Sequence, residues 1–351
     1  MKLLICTQKV DKHDPILGFF HRWIEEFAAH YEKVTVICLY KGEYALPHNV
    51  EVVSLGKERG VPKIEYLIQF YRLIWLRRNE YTHVFVHMNP VYVVLGGVMW
   101  RLLRKKIALW YTHKSVDAKL TIAEKLVHHI FTASKESFRL PSRKVVVTGH
   151  AIDVEAYASV GHEEGATLRL TVIGRISPAK RIDVFIKTIA ELTKRGVAVE
   201  GTIVGEGATR EDVSYVEAMK SLAKELGSED HVHFVGAVTH EKIKHHLART
   251  DIFLHTSETG SMDKSVLEAL ACGVPVLSSS EAFKGILIQN DSFLNSKDST
   301  VIADQVLAFV HRTPEEKEKN KTRMKEYVFA THSLRHTMKK IVGVLSDAPA
   351  H

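Results

Sequence analysis

The stretch "TSETGSMDKSVLEALACGVPVLSS", Thr256 to Ser279, sets a polar loop bearing Gly260 directly before an apolar helix, and "DIFLHTS", Asp251 to Ser257, leads into it as a strand. Strand, loop, helix and the following "PVLSSS" make one βαβ step, because a short apolar run gives way to a helical period and then to another apolar run. Gly273 and Pro275 mark where the helix stops. In sheets built of such steps, ligands bind beyond the carboxyl ends of the strands, where loops feed helix amino termini. The backbone N–H groups and dipole of this helix start make Gly260, Ser261 and Met262 a seat for an anion, and Lys264 adds a cation. One carboxylate, Glu268, stands a turn further in among leucines and alanines, placed to accept hydrogen bonds from adjacent hydroxyls of a sugar. A plainer reading competes: Ser261 or Asp263 caps the helix, and Glu268 pairs with Lys264 at i, i+4.

The same alternation runs through the whole chain. Strands are expected at "KLLICT", "KVTVICL", "EVVSL", "HVFVHM", "KIALWYT", "HIFTAS" and "KVVVTGH" in the first half, with helices starting near Leu17, Pro62, Tyr92 and Leu120. "RLTVIGR", "VEGTIVGEG", "HVHFVGA", "DIFLHTS" and "PVLSSS" are the strands of the second half, with helices at 180–194, 214–226, 241–248 and 263–271. This is the pattern of an α/β protein with two doubly wound parallel sheets. A chain of 351 residues exceeds one ordinary core and suits two domains with a cleft. The apolar period fades over "TGHAIDVEAYASVGHEEGATL", so the domains are drawn at 1–155 and 168–330, with a linker at 156–167 and a terminal helix at 331–351.

Composition narrows the class. With 45% hydrophobic and 25% charged residues the chain reads as globular, and no run of about 18 uncharged apolar residues spans a bilayer. The opening "MKLLICTQKVDKH" meets charge too soon for a secretory signal. Cys6, Cys38 and Cys272 are odd in number and lack CxxC spacing, which points to a reduced, cytoplasmic compartment. The net charge of +7 hides an asymmetry: residues 1–150 carry 23 Lys and Arg against 13 Asp and Glu. "KIEYLIQFYRLIWLRRNEY", Lys63 to Tyr81, with Arg72, Arg77 and Arg78, and "RLLRKK", Arg101 to Lys106, concentrate it. Such segments suit an anionic membrane surface as a peripheral contact. They also read as core-packing helices with solvated basic edges. Nucleic acid is not expected, because the basic residues are scattered and form no binding motif.

Further signals gather in the second half. "TVIGRISPAKRIDVFIKTIAEL" ends a strand at Gly174 and Arg175 and presents Lys180 at the mouth of a helix, so two cations can converge on a diphosphate. "TIVGEGATR" sets Gly205 and Gly207 after a strand without the third glycine of a dinucleotide fingerprint. The ordered set "GRISPAKRID", "VGEG", "VHFVGAVTHEKI" and "TSETGSMDKSVLEALACGVPVL" resembles the retaining glycosyltransferases related to glycogen and sucrose synthases, the glycosyl transferases group 1. Those enzymes have two facing Rossmann-like domains, the GT-B fold. The resemblance covers residues 169–280 well and the first half in outline.

It implies an acceptor-binding first domain, a nucleotide-sugar-binding second domain and a terminal helix that crosses back to the first. Arg175 and Lys180 would neutralise the donor's diphosphate, and the base would sit near Val235 and Gly236. Glu268 would hold the ribose hydroxyls as the second of the family's paired glutamates. The first of that pair falls on Gly260, a departure that removes a sugar-binding carboxylate. Gly18 resembles the glycine of the first strand's loop near donor or acceptor, and His113 in "WYTHKS" the histidine lining the sugar site. His87 and His150 are lesser strand-end candidates.

No metal or other cofactor is expected, since His240 and His245 lie some 140° apart around a helix. The expected activity is transfer from a nucleotide-diphosphate sugar to a hydroxyl on a carbohydrate or lipid-linked acceptor, with retention, in surface polysaccharide or glycolipid synthesis. A non-catalytic sugar-nucleotide-binding subunit and a sugar-nucleotide epimerase on the same fold are the alternatives. Peripheral contact at the inner membrane face belongs to the same expectation.

Overall fold

The computed structural model describes residues 1–163 and 165–347. Glu164 of the expected linker and residues 348–351 of the expected terminal segment lie outside the described residues. The chain divides into two compact units, residues 1–153 with 331–351, and residues 154–330.

In the first unit β1 (Lys2–Val10), β2 (Lys33–Lys41), β3 (Val50–Ser54), β4 (His83–His87), β5 (Lys106–Trp110), β6 (His129–Thr132) and β7 (Val145–Val147) form one parallel sheet. Its order, β3-β2-β1-β4-β5-β6-β7, places Ile5 of β1 between Val36 and Phe85. The helices α1 (Phe20–His30), α2 (Lys63–Leu76), α3 (Val91–Leu102) and α4 (Ala118–Leu126) separate the strands. Side chains alternate across the pleat: Leu3 and Ile5 enter a core with Trp23, Phe27 and Phe85, while Leu4 and Cys6 enter another with Phe70 and Trp100. Both faces being buried explains why these strands read as unbroken apolar runs.

The second unit repeats the scheme with β8 (Leu168–Ile173), β9 (Val199–Val204), β10 (Val232–Gly236), β11 (Ile252–His255) and β12 (Val276–Ser278), in the order β10-β9-β8-β11-β12. Its helices are α5 (Val154–Ala158), α6 (Ile182–Lys194), α7 (Arg210–Glu225), α8 (His240–Ala248), α9 (Lys264–Cys272), α10 (Glu281–Leu287), α11 (Ser299–Val310) and α12 (Pro314–His332). Thr209 and Asp212 form a capping box at the start of α7. Gly273, at φ 80°, takes the left-handed conformation that ends α9. The last helix, α13 (Leu334–Asp347), buries Leu334, Met338, Ile341 and Leu345 in the core that holds Trp23.

Two expectations are corrected. The linker from residue 156 begins inside α5, whose Val154 and Tyr157 are buried. Arg77 is no solvated cation: its guanidinium forks onto both oxygens of Glu51 at 2.5 Å, holding that carboxyl below its ordinary range. The three cysteines are buried, and burial pushes the Cys38 and Cys272 thiols up to about 12. No helix among the described residues is long and apolar enough to cross a membrane.

Candidate functional site

The carboxyl ends of β8, β9 and β11 carry the features that the sequence singled out. Gly174 follows β8 with φ 148° and Gly205 follows β9 with φ 142°. A Cβ on Gly205 would lie 1.9 Å from the Gly174 carbonyl oxygen, so glycine is required for the two strand ends to approach. Gly205 N–H then donates to the Gly236 oxygen at 2.9 Å, which links β10 to the same backbone floor. Val235 beside it is exposed. Gly207 has another duty, because its Cβ would press on Asp212 and Val213 at 2.7 Å where α7 begins. A small pocket opens on this floor, lined by Gly174, Arg175, Lys180, Ile182, Val204 and His255.

Both expected cations therefore reach one pocket. Arg175 is largely exposed, its Nε 3.9 Å from Asp212. Burial works to raise the Asp212 carboxyl, but hydrogen bonds from Thr209 and Ala208 and the Arg175 charge hold it low. Lys180 is mostly covered and its Nζ donates to Asp263. Thr256 ties the two loops together, donating to the carbonyls of Lys180 at 3.1 Å and Arg181 at 2.9 Å. Arg181 in turn grips Asp183 and Glu258.

Asp263 occupies the N-cap position of α9, yet its side chain makes no capping bond. Its Oδ2 receives Lys180 and, at 2.6 Å, Nε2 of His255. His255 closes β11, is fully buried, and meets Ser278 Oγ through Nδ1 at 2.8 Å. Burial would raise the Asp263 carboxyl, but the Lys180 charge and the His255 hydrogen bond press it far below the usual carboxylate range. The sequence reading missed His255. Its signal was a polar ring ending the apolar run "DIFLH" at the carboxyl edge of the sheet.

Gly260 adopts φ 58°, Ser261 gives its carbonyl to Ser280 Oγ at 2.9 Å, and Met262 is buried. Glu268 is buried as well and does not line the pocket. Burial raises its carboxyl, while Lys264, at 3.4 Å, and a hydrogen bond from Tyr157 of α5 oppose the rise. The i, i+4 pairing that competed in the sequence reading is thus formed, whereas side-chain capping by Asp263 is not.

Two candidates lie in the first unit. Gly18 closes the turn after β1: its N–H donates to the Asp14 oxygen at 2.9 Å, and a Cβ would come within 2.5 Å of that oxygen. His113 is exposed beyond β5, with Nδ1 accepting from Ser115 N–H at 3.1 Å. His87, by contrast, is buried and stacked on Phe20 at 3.9 Å, and burial drops its pKa to about 3.

Residues 157–329 match the family described as glycosyl transferases group 1. The second unit is a group 1 glycosyl transferase domain. Over 136 residues the chain is 32% identical to a GDP-mannose-dependent alpha-(1-6)-phosphatidylinositol monomannoside mannosyltransferase of Mycolicibacterium smegmatis, covering 36% of this chain and 34% of that protein. Over 141 residues it is 30% identical to a D-inositol 3-phosphate glycosyltransferase of Rhodococcus erythropolis, covering 38% and 30%. The chain thus spans about a third of the length of these relatives. In fold, the crystal structure of Anabaena HepE in complex with UDP aligns with a TM-score of 0.78 at 16% identity, over 99% of this chain and 100% of that one. WaaG, a glycosyltransferase involved in lipopolysaccharide biosynthesis, aligns with 0.69 at 13% identity, over 99% and 100%. Beyond its group 1 domain, the chain shares its α/β fold of two doubly wound parallel sheets with these structures.

Proposed function

We propose that the protein transfers a sugar from a nucleotide-diphosphate donor to a hydroxyl acceptor with retention of configuration. The observation that carries this reading is the pocket where Arg175 and Lys180 meet over the glycine floor of β8 and β9, inside a group 1 domain. A diphosphate laid at the pocket's mouth meets two cations, which stabilise it as it leaves the anomeric carbon. On this reading the departing phosphate oxygen helps to take the proton of an acceptor hydroxyl arriving on the same face. Orientation and charge then do more than a protein base. Gly236 and Val235 are proposed to flank the base, and Gly260 to Met262 the diphosphate. His113 keeps its role toward the sugar on the resemblance alone.

The acceptor is proposed to be a glycolipid or a membrane-linked polysaccharide, and one surface supports this. Ile64, Ile68, Trp75 and Leu76 of α2 and Val98 and Leu102 of α3 are exposed, Leu102 to 79%. Tyr71 joins the two helices by donating to the Leu95 carbonyl at 3.0 Å. Arg72 and Arg101 are exposed along this face, and the Arg78 guanidinium sits 4.4 Å over the Trp75 ring. Apolar side chains rimmed by arginines fit the headgroup layer of an anionic bilayer at the inner membrane face.

The test is incubation with a panel of nucleotide sugars and with lipid-linked and free acceptors, following nucleotide release and the anomeric configuration of the product by NMR. Acceptor-dependent release with an unchanged anomer is expected. Donor binding without release would favour a non-catalytic subunit, and an altered donor sugar an epimerase; either result overturns transfer.

A further inference from the structure

Gly260 leaves the loop before α9 without the carboxylate that the family resemblance places there, yet a carboxylate is present three residues on. Asp263 does not line the small pocket itself but contacts Lys180 and His255, which do, and only one of its oxygens is committed. Oδ2 takes both Lys180 Nζ and His255 Nε2, while Oδ1 has no hydrogen-bond partner among the described residues. Behind it the polar chain is continuous: Ser280 N–H donates to Ser278 Oγ at 3.2 Å, Ser278 Oγ meets His255 Nδ1 at 2.8 Å, and His255 Nε2 meets Asp263 at 2.6 Å. Assigning the ring hydrogen to Nε2 makes each link point toward Asp263. His255 is 1% exposed, so the carboxylate is held from a rigid, buried base.

Such an oxygen can only accept. Beside a diphosphate bound at Lys180, a carboxylate repels phosphate oxygens, so its complementary partners are the O–H and N–H groups of the nucleotide sugar. A diphosphate held at Lys180 would carry hydroxyls on its attached sugar and on its ribose, and the sugar side is the one assigned to Asp263. We propose that Asp263 reads a hydroxyl of the transferred sugar through Oδ1, with His255 as its positioning residue. This rests on the donor-binding reading above. The carboxylate missing at Gly260 is supplied from Asp263, reached through a loop whose left-handed Gly260 turns the chain.

The experiment compares a nucleoside diphosphate with its sugar conjugate by calorimetry, using UDP with UDP-glucose and GDP with GDP-mannose, on the wild type, Asp263→Ala, Asp263→Asn and His255→Asn. In Asp263→Ala the sugar conjugate should lose 10- to 100-fold in affinity relative to its own nucleoside diphosphate, with circular dichroism confirming the fold. Asp263→Asn, which keeps an accepting oxygen, should recover most of that ratio, and His255→Asn should lose part of it. Equal losses for both ligands would leave the ratio unchanged and show that Asp263 acts only through Lys180, and unaltered affinity for both would show that it plays no part in binding; either overturns the proposal. If the wild type binds none of the four ligands, the donor-binding reading itself fails, a result distinct from both.

Discussion

Lys180→Met is the perturbation that separates the site's charge from its packing. Methionine keeps most of the apolar stem and removes the ammonium. In the folded protein Asp263 then faces only His255, at 2.6 Å, with a side chain 16% exposed. Removing one partner of a buried ion pair costs about 3–5 kcal/mol, and the residual exposure of both side chains places this pair lower, at about 2–3 kcal/mol. For a domain of this size that is a fall of about 5–10 °C in Tm. Adding Asp263→Asn removes the uncompensated charge, so the double variant should regain about half of the loss. Activity should behave differently. Loss of one preorganised group that stabilises developing charge costs about 100- to 1,000-fold in kcat, and neutralising Asp263 does not return it. The assay pairs thermal melts with steady-state transfer for both variants. A Lys180→Met protein that remains folded and transfers within about threefold of wild type would refute the assignment of the ammonium to the leaving diphosphate. Melting at the wild-type temperature would refute the coupling to Asp263.

Three other outcomes are expected. The first unit should be acid-labile, because burial, and then the His150 charge, drop both His87 and His332 to about 3 in the folded state, against about 6.5 unfolded. The unfolded chain takes up these protons first, so stability is full above pH 7 and falls toward pH 3 by up to about 2.7 kcal/mol per pH unit. Urea midpoints that stay flat from pH 7 to 5 would contradict this. Gly205→Ala sets a Cβ 1.9 Å from the Gly174 oxygen at φ 142°, so it should cost at least about 2 kcal/mol in denaturant melts and weaken donor binding; a midpoint within error of wild type would remove the close approach. On vesicles containing anionic lipid, Arg72→Ala with Arg78→Ala should weaken pelleting by about 30-fold, at about 1 kcal/mol per cation, and Trp75→Ser should weaken it further. Arg77→Ala should mainly unsettle the pair with Glu51, so equal losses for Arg77 and Arg72 would count against the assigned face.

What was legible in the sequence, and what was not, divides along one physical line. The strands could be read because a strand buried on both faces is a continuous apolar run, as "KVTVICL" and "RLTVIGR" are, and the major helices because they span several turns. The helix Val154–Ala158 could not, since five residues in a Gly- and Ala-rich stretch never complete the period by which a helix is recognised. Glycines after strands announced themselves, but the need for Gly205 comes from the Gly174 carbonyl, and that neighbour exists only once β8 and β9 are paired. Charges were misassigned for the same reason. Asp263 precedes a helix and so reads as a cap, a bond worth about 0.5–2 kcal/mol, whereas the folded chain brings it Lys180 from 83 positions away, and a hydrogen bond between charged groups is worth about 1.5–3 kcal/mol. Arg77 read as a free cation until β3 brought Glu51 beside it. Elements follow from local period, but the partner of a charge follows from strand order. The pocket's glycines were therefore found by pattern, whereas Asp263 and His255 needed the strand order that brings Lys180 beside them.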